Sequence, residues 1–216
     1  MDSIDQFVAD LATEVTDTLF NLYAENVEGL DRSGGAAIRC ANLRAYLGPR
    51  IGARLALVGE APSAHGARFS GIAFTAERSL PPLLRTSAHG LRRNGFSEQS
   101  ATILHRALAA VEIDPAEVIL WNVVPFHPAA AGDPLRNRLP TVAEFALGSE
   151  WLERFLALMR PAQVAAVGRS AQRVRPGWTR LRHPAHGGRL ELQRGLAFLN
   201  HRIGDGDILP ASTPEL

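Results

Sequence analysis

The sequence contains no lysine and only one cysteine, and each shortage excludes a class of function. All 23 basic residues are arginines, so no lysine side chain is available to form a Schiff base with a substrate. The single cysteine, Cys40, permits neither an internal disulfide nor a multi-cysteine metal or iron–sulfur site within one chain. We therefore expect no metal and no organic cofactor.

Long apolar runs are also missing. No stretch approaches the eighteen or so uninterrupted apolar residues of a membrane span, and the acidic N-terminus lacks the order of charges of a signal peptide. At 216 residues the chain fits one domain. We expect a monomer without membrane contact, located in the cytoplasm and associated with a bacterial nucleoid.

Charge is distributed unevenly, although the formal net charge is only +1. Residues 1–34 hold eight acidic residues and one arginine, whereas residues 35–203 hold 22 arginines and eleven acidic residues. A basic surplus of this size is typical of proteins that bind polyanions. A lysine-poor coding bias also accounts for the arginine usage, so the composition supports nucleic-acid binding without establishing it.

Short apolar runs alternate with amphipathic segments along the chain. The hydrophobic pattern predicts strands over 55–58, 118–122, 161–167 and 178–181, and helices over 3–24, 36–47, 80–91, 98–110, 141–159 and 189–200. The alternation predicts an α/β fold with a parallel sheet and helices on both faces. Residues 1–216 then form a single domain with an acidic N-terminal helical extension (about 1–34) and a loose C-terminal tail (about 204–216).

The first strand leads into an unusually long loop. The strand ends at Gly59-Glu60-Ala61-Pro62, where the proline cannot donate to a ladder. About twenty residues follow before the next predicted helix, and loops of that length in compact domains are usually functional or disordered. Open α/β sheets bind ligands at the carboxyl ends of their strands. We therefore predict a functional loop.

Two further strands end in polar, proline-containing loops, at Asn122 and at His183-Pro184. In a parallel sheet these ends share one edge, so the Glu60 carboxylate, the Asn122 amide and the His183 imidazole should converge. This set suits excision of a base from a nucleoside. A carboxylate stabilises an oxocarbenium-like sugar and orients water, imidazole stabilises the departing base, and asparagine reads a pyrimidine edge. Phe69 or Phe74 can stack on an extruded base.

These residues carry a family resemblance over about residues 50–200. Gly59-Glu-Ala-Pro62 with Gly71-Ile-Ala-Phe74 resembles the first motif of the uracil-DNA glycosylase superfamily, Asn122-Val-Val resembles its strand-end asparagine, and His183-Pro184 resembles its C-terminal motif. The resemblance implies a three-layer α/β/α sandwich around a four-stranded parallel sheet.

Two branches of that superfamily point to different catalytic carboxylates. Gly59-Glu60-Ala61-Pro62 is similar to an iron–sulfur branch whose working acid lies within this tetrapeptide, which implies Glu60. Phe74-Thr-Ala-Glu77 is similar to a branch of broad base tolerance whose acid follows the stacking phenylalanine, which implies Glu77. We favour Glu60 and keep Glu77 as the alternative. Both branches carry a four-cysteine cluster that this chain lacks.

The resemblance also implies substrate contacts. A bulky side chain after the proline of the first motif excludes the thymine methyl group, but Ser63 is small, so His65 is the alternative residue to fill this space. Backbone donors near Ala61 complete the predicted pocket. In the last loop an inserted side chain replaces the extruded base; Arg189 is the first candidate and Leu190 the second, with His186 as a further DNA contact.

Each motif also has a simpler interpretation. Glu60 alone fits a solvated turn, Asn122 fits a bend, Phe74 fits the core, and the spacing of His183 and His186 falls short of a metal site without a third ligand.

Taken together, the motifs predict a monofunctional enzyme of base excision repair that flips uracil, or another deaminated base, out of single- or double-stranded DNA and hydrolyses its N-glycosidic bond. Two alternatives stay open: a non-catalytic module that binds damaged or single-stranded DNA, and a hydrolase of free nucleosides or nucleotides.

Overall fold

A central sheet of four parallel strands organises the computed structural model, which describes residues 3–185 and 187–204. The strands of the described residues are β1 (Leu55–Gly59), β2 (Val118–Asn122), β3 (Ala129–Ala130), β4 (Asp133–Asn137), β5 (Gln163–Val167) and β6 (Thr179–Leu181). The parallel sheet has the order β2-β1-β5-β6, and β3 pairs with β4 as an antiparallel hairpin. The predicted strand pattern is thus confirmed, with β5 and β6 shorter than expected.

Helices cover both faces of this sheet. They are α1 (Ile4–Thr13), α2 (Gly35–Leu47), α3 (Ala67–Ser70), α4 (Gln99–Ala110), α5 (Val142–Met159), α6 (Arg169–Val174) and α7 (Arg189–Gly204). Short 3₁₀ turns occupy residues 48–50, 77–79, 82–84 and 115–117. The sequence sets the start of α5, because Thr141 and Glu144 form a capping box. Among the helices of the described residues, none has the length and apolar character needed to cross a membrane.

The strands alternate between two cores, as residues on successive positions of a strand must. Alternate residues such as Ala56, Val58 and Trp121 join α1, α2 and α5 in one hydrophobic cluster. Their neighbours, such as Leu57 and Leu120, join α4 and α7 in the other. Every residue of β1, β2 and β5 is buried, which explains why these strands are apolar except for Asn122 at the end of β2 and Gln163 at the start of β5. The predicted three-layer α/β/α sandwich is confirmed.

The N-terminal helix is shorter than the periodicity predicts, because it ends at Thr13 rather than near residue 24. The Asn21 side-chain amide donates to the carbonyls of Leu11 and Glu14, at 2.8 and 2.9 Å, and this turns the chain back. Val15, which lies within the range of the predicted helix, is 84% exposed. The acidic N-terminal segment is nevertheless part of the main core, since the buried Phe7 ring makes a tilted contact with the Trp121 ring, with 5.8 Å between the ring centres.

The helix predicted over residues 80–91 is wrong. Residues 82–84 form one 3₁₀ turn, and the rest of this segment is irregular. Consecutive prolines remove two backbone donors at its start. Beyond them, the N–H groups of Thr86 and Ser87 donate to the carboxylate of Glu77 instead of to carbonyls one turn earlier. A long-range side-chain contact therefore overrides the local helical pattern.

Two other predicted boundaries change less. The loop after β2 contains the β3–β4 hairpin, where only irregular chain was expected. The terminal helix α7 continues to Gly204, and the predicted loose tail lies outside the described residues from residue 205 onward.

Candidate active site

A cavity of about 670 Å³ opens at the carboxyl edge of the parallel sheet. It is bounded by the loop after β1, the end of β2, the start of α4, the β3–β4 hairpin, the β5–α6 turn and the loop after β6. Seven of the residues singled out from the sequence line it: Glu60, Ala61, Ser63, His65, Phe74, Asn122 and His183. The cavity is thus the meeting point of the three polar strand ends.

Phe74 and Asn122 pack closely against β1. A Cβ atom on Gly59 would lie 2.5 Å from the Phe74 ring and 2.7 Å from Asn122 Oδ1, so only glycine fits at this position. Phe74 has a φ of +49°, a left-handed conformation that costs a non-glycine residue on the order of 1–3 kcal/mol. The surrounding structure therefore fixes an aromatic ring at the cavity wall in a strained conformation.

The Asn122 side chain is 5% exposed, and none of the described residues hydrogen-bonds its amide. A buried amide normally has partners, since leaving it without any costs about 1–3 kcal/mol. Its position at the cavity wall makes a donor and an acceptor available to a ligand.

His183 is oriented by its own loop. Its Nδ1 atom accepts a hydrogen bond from the backbone N–H of Ala185 at 3.2 Å. A neutral imidazole that accepts at Nδ1 carries its proton on Nε2. The hydrogen bond from Ala185 therefore favours the tautomer that can donate from Nε2, and His183 lines the cavity.

The two glutamates of the opening loop occupy different environments. Glu60 lines the cavity, is partly exposed, and forms no side-chain hydrogen bond or salt bridge with any described residue. Glu77 is fully buried and does not line the cavity. Its carboxylate accepts the N–H groups of Thr86 and Ser87 at 2.6 Å each, and that of Phe96 at 3.0 Å. Glu77 thus has a structural role, because it fixes the backbone at Thr86, Ser87 and Phe96. The Glu60 carboxylate is accessible to a ligand in the cavity.

The backbone around Pro62 is fixed from outside the loop. The Nδ1 atom of buried His127 lies 2.8 Å from the Pro62 carbonyl, and burial lowers the pKa of this imidazole, which favours the neutral form donating from Nδ1. Asn137 of β4 accepts the backbone N–H of Ala64 at 2.8 Å. The buried His127 therefore supports the cavity wall.

Sequence reasoning missed Glu98, which lines the cavity just before α4. Its Oε1 accepts the hydroxyl of Ser100 at 2.5 Å, and its covered Oε2 has no hydrogen-bond partner among the described residues. A Cβ on Gly66 would overlap that oxygen. Burial raises the pKa of Glu98. Glu98 is not at a strand end, so the strand-end argument could not find it. Only its place at a predicted helix start marked it.

Two of the three predicted DNA-contacting residues do not line this cavity. Arg189 and Leu190 begin α7 and are exposed, and neither lines the cavity. Leu190 borders a separate cavity of about 610 Å³ between α4 and α7. His186 lies outside the described residues.

A four-cysteine cluster does not fit this chain. Cys40, its one cysteine, is buried on α2, where its Sγ donates to the Tyr23 carbonyl at 3.3 Å. In the described ranges, no group of three or more His, Cys, Asp or Glu side chains is placed to hold a metal ion.

Comparison with known proteins assigns the chain to a family. The model of the Uracil DNA glycosylase superfamily matches residues 45–215, which includes the whole sheet and cavity. Among solved structures, the wild-type SMUG2 of Pedobacter heparinus is similar in fold, with a TM-score of 0.57 and 14% sequence identity over 96% of this chain and 98% of that one. A search of curated proteins gave no match. From the family match over most of its length, the chain belongs to the uracil DNA glycosylase superfamily.

Proposed function

We propose that this protein is a monofunctional DNA glycosylase that removes uracil from DNA by hydrolysing the N-glycosidic bond, as the first step of a base excision repair. Membership of the superfamily supports a DNA glycosylase. The observation that carries the proposal is the meeting of Glu60, Phe74, Asn122 and His183 in one cavity of about 670 Å³, large enough for a nucleoside.

Base binding would use the wall formed by Phe74 and Asn122. The extruded base stacks on the Phe74 ring, and its amide edge pairs with the Asn122 amide, which donates to a carbonyl and accepts from a ring N–H. Because Gly59 allows both side chains to approach β1 closely, the stacking surface and the hydrogen-bonding edge are held at fixed positions before substrate binds.

Glu60 would act on the sugar side. As the bond between C1′ and the base nitrogen breaks, its electron pair leaves with the base and the sugar becomes an oxocarbenium-like cation. The Glu60 carboxylate stabilises this cation and accepts a proton from the water whose oxygen bonds to C1′. Glu60 is suited to this role because no described side chain neutralises it.

His183 would act on the leaving group. The departing base carries the electron pair as an anion on its ring and carbonyl oxygen. The Nε2–H group, favoured by the Ala185 hydrogen bond to Nδ1, donates to that oxygen. A fixed donor aimed at developing negative charge typically contributes 10²–10³-fold in rate, as an order of magnitude.

The test is excision from oligonucleotides that contain uracil, hypoxanthine or only normal bases, followed by alkaline cleavage of abasic sites. We expect strand cleavage with uracil and none with normal DNA. Glu60→Gln should lower the rate by roughly 10²–10⁴-fold, the usual contribution of a general base.

Two outcomes would assign another function. DNA binding without cleavage of any substrate would indicate a non-catalytic recognition module. Hydrolysis of free deoxyuridine as fast as of uracil in an oligonucleotide, followed by chromatography, would indicate a nucleoside hydrolase.

A further inference from the structure

A second cavity, of about 520 Å³, lies beside the segment that follows Glu77. Five basic side chains line it: Arg32, Arg85, His89, Arg92 and Arg93. Among the residues that the structure describes, no acidic side chain lines it. We refer to it as the arginine groove.

The positive charge of this groove is not compensated by nearby carboxylates. Asp31, next to Arg32 in the chain, pairs instead with two buried arginines at 2.7 and 2.9 Å. The carboxylate of Glu77 is occupied by backbone N–H groups. Within the described ranges, no salt bridge joins any groove arginine to an acid. The groove therefore presents net positive charge to solvent.

Backbone carbonyls hold two of these arginines in place. Arg32 donates from Nη1 to the carbonyl of Arg85 at 3.2 Å, and Arg85 donates from Nε to the carbonyl of Leu80 at 3.0 Å. Each guanidinium has five N–H donors, so donors are left for a ligand. Side chains fixed in this way lose less conformational entropy on binding than free ones.

The groove adjoins the catalytic cavity through three consecutive residues. Gly95 lines the groove and Ser97 lines the cavity. Between them, the ring of Phe96 stacks on Phe69 at 4.2 Å and on exposed His65 at 5.3 Å, with interplanar angles of 8° and 9°. His65 itself lines the catalytic cavity. An aromatic surface therefore separates the two sites.

Arg92 lines the groove and also contacts the aromatic surface. Its guanidinium carbon lies 5.5 Å from the centre of the Phe96 ring. Burial and then the positive charge of Arg92 lower the pKa of His65, which is the response expected when a cation lies near an imidazole. The arginine at the end of the groove is thus within electrostatic reach of the cavity mouth.

We propose that the arginine groove binds the phosphodiester backbone of the DNA strand that carries the target base, next to the nucleotide held in the catalytic cavity. Guanidinium groups bind phosphate oxygens in pairs of hydrogen bonds, and His65 offers a ring on which the neighbouring base stacks. The inference rests on the proposed function, since it takes the cavity to hold a nucleotide of the same strand.

The test is the salt dependence of DNA binding by the double variant R92Q/R93Q. Fluorescence anisotropy with labelled single-stranded and duplex oligonucleotides that contain no uracil gives the Kd at a series of salt concentrations from 50 mM to 300 mM. Each lost phosphate contact should reduce the slope of log K against log salt by about 0.7 for single strands and about 0.9 for duplex. Two lost contacts correspond to roughly 25- to 60-fold weaker binding at 0.1 M salt.

The matched control is R106Q/R194Q, which removes the same charge from exposed arginines on α4 and α7. Equal changes of slope in the two double variants would overturn the proposal, because binding would then depend on net charge alone. An unchanged slope in R92Q/R93Q would overturn it directly. Because this assay involves no base excision, a protein that binds through the groove but excises nothing would refute the proposed function and leave the groove assignment intact.

Discussion

Replacing Glu77 by glutamine tests which of the two glutamates of the opening loop is catalytic. The Glu77 carboxylate is fully buried and accepts three backbone N–H groups. Glutamine keeps one acceptor oxygen for Thr86 and Ser87, but it turns an NH₂ group toward the N–H of Phe96. One charge-assisted hydrogen bond is then lost and a buried donor is left unpaired, which costs about 1.5–3 kcal/mol. For a chain of this size we expect Tm to fall by about 3–12 °C.

The assay combines calorimetry with uracil excision per folded molecule at a temperature well below both transitions. Glu77→Gln should lower Tm and keep most of the excision rate. Glu60→Gln should lose the rate with little change in Tm, because its carboxylate forms no hydrogen bond or salt bridge with any described residue. A Glu77→Gln protein that keeps its Tm and loses excision would refute this reasoning and make Glu77 the catalytic acid.

Three further substitutions test the cavity and the core. Burial raises the pKa of Glu98. The contribution of Glu98 to the free energy of unfolding is therefore complete below about pH 4.5 and is lost as the pH rises through its raised pKa in the folded protein. Glu98→Gln should raise Tm at pH 8 and leave it unchanged at pH 4. An equal shift at both pH values would contradict this. Gly59→Ala should displace the Phe74 ring and slow excision by on the order of 10²-fold, while Gly48→Ala, with open space around its Cβ, should not. Asp31→Asn should cost about 3–5 kcal/mol in urea unfolding, because it breaks a fully buried ion pair network with two arginines.

The parts of the fold that the sequence predicts are those specified by local pattern. The buried runs at 55–58 and 118–121 have no polar residue to allow another interpretation, and Thr141 with Glu144 specifies a helix start by itself. The helix expected over 80–91 fails because its alternative, capture of backbone N–H groups by Glu77, involves residues nine and more positions away. No periodicity within the segment can reveal that competition.

The same distinction holds for the site. Glu60, Asn122 and His183 could be predicted as neighbours because parallel strands bring their carboxyl ends to one edge. The sequence could not predict which glutamate of the loop enters the cavity, because both Glu60 and Glu77 fit a family pattern. The choice depends on how residues 60–97 fold back on themselves. Glu98 was missed because it reaches the cavity from the start of a helix, supported by Gly66, whose close approach is visible only in three dimensions.

The hydrogen bonds of Glu77 connect the catalytic cavity with the arginine groove. One of its oxygens binds the N–H of Ser87, which lines the groove, and the other binds the N–H of Phe96, the central ring of the stack between the two sites. A single buried carboxylate therefore sets the position of the groove relative to the cavity. If DNA occupies both, Glu77→Gln should also weaken binding in the salt titration, because it loosens the placement of the arginines without removing a positive charge. Its slope of log K against log salt should stay closer to that of the wild type than the slope of R92Q/R93Q. A variant that is destabilised as expected but binds DNA with unchanged Kd would show that the groove is positioned independently of Glu77.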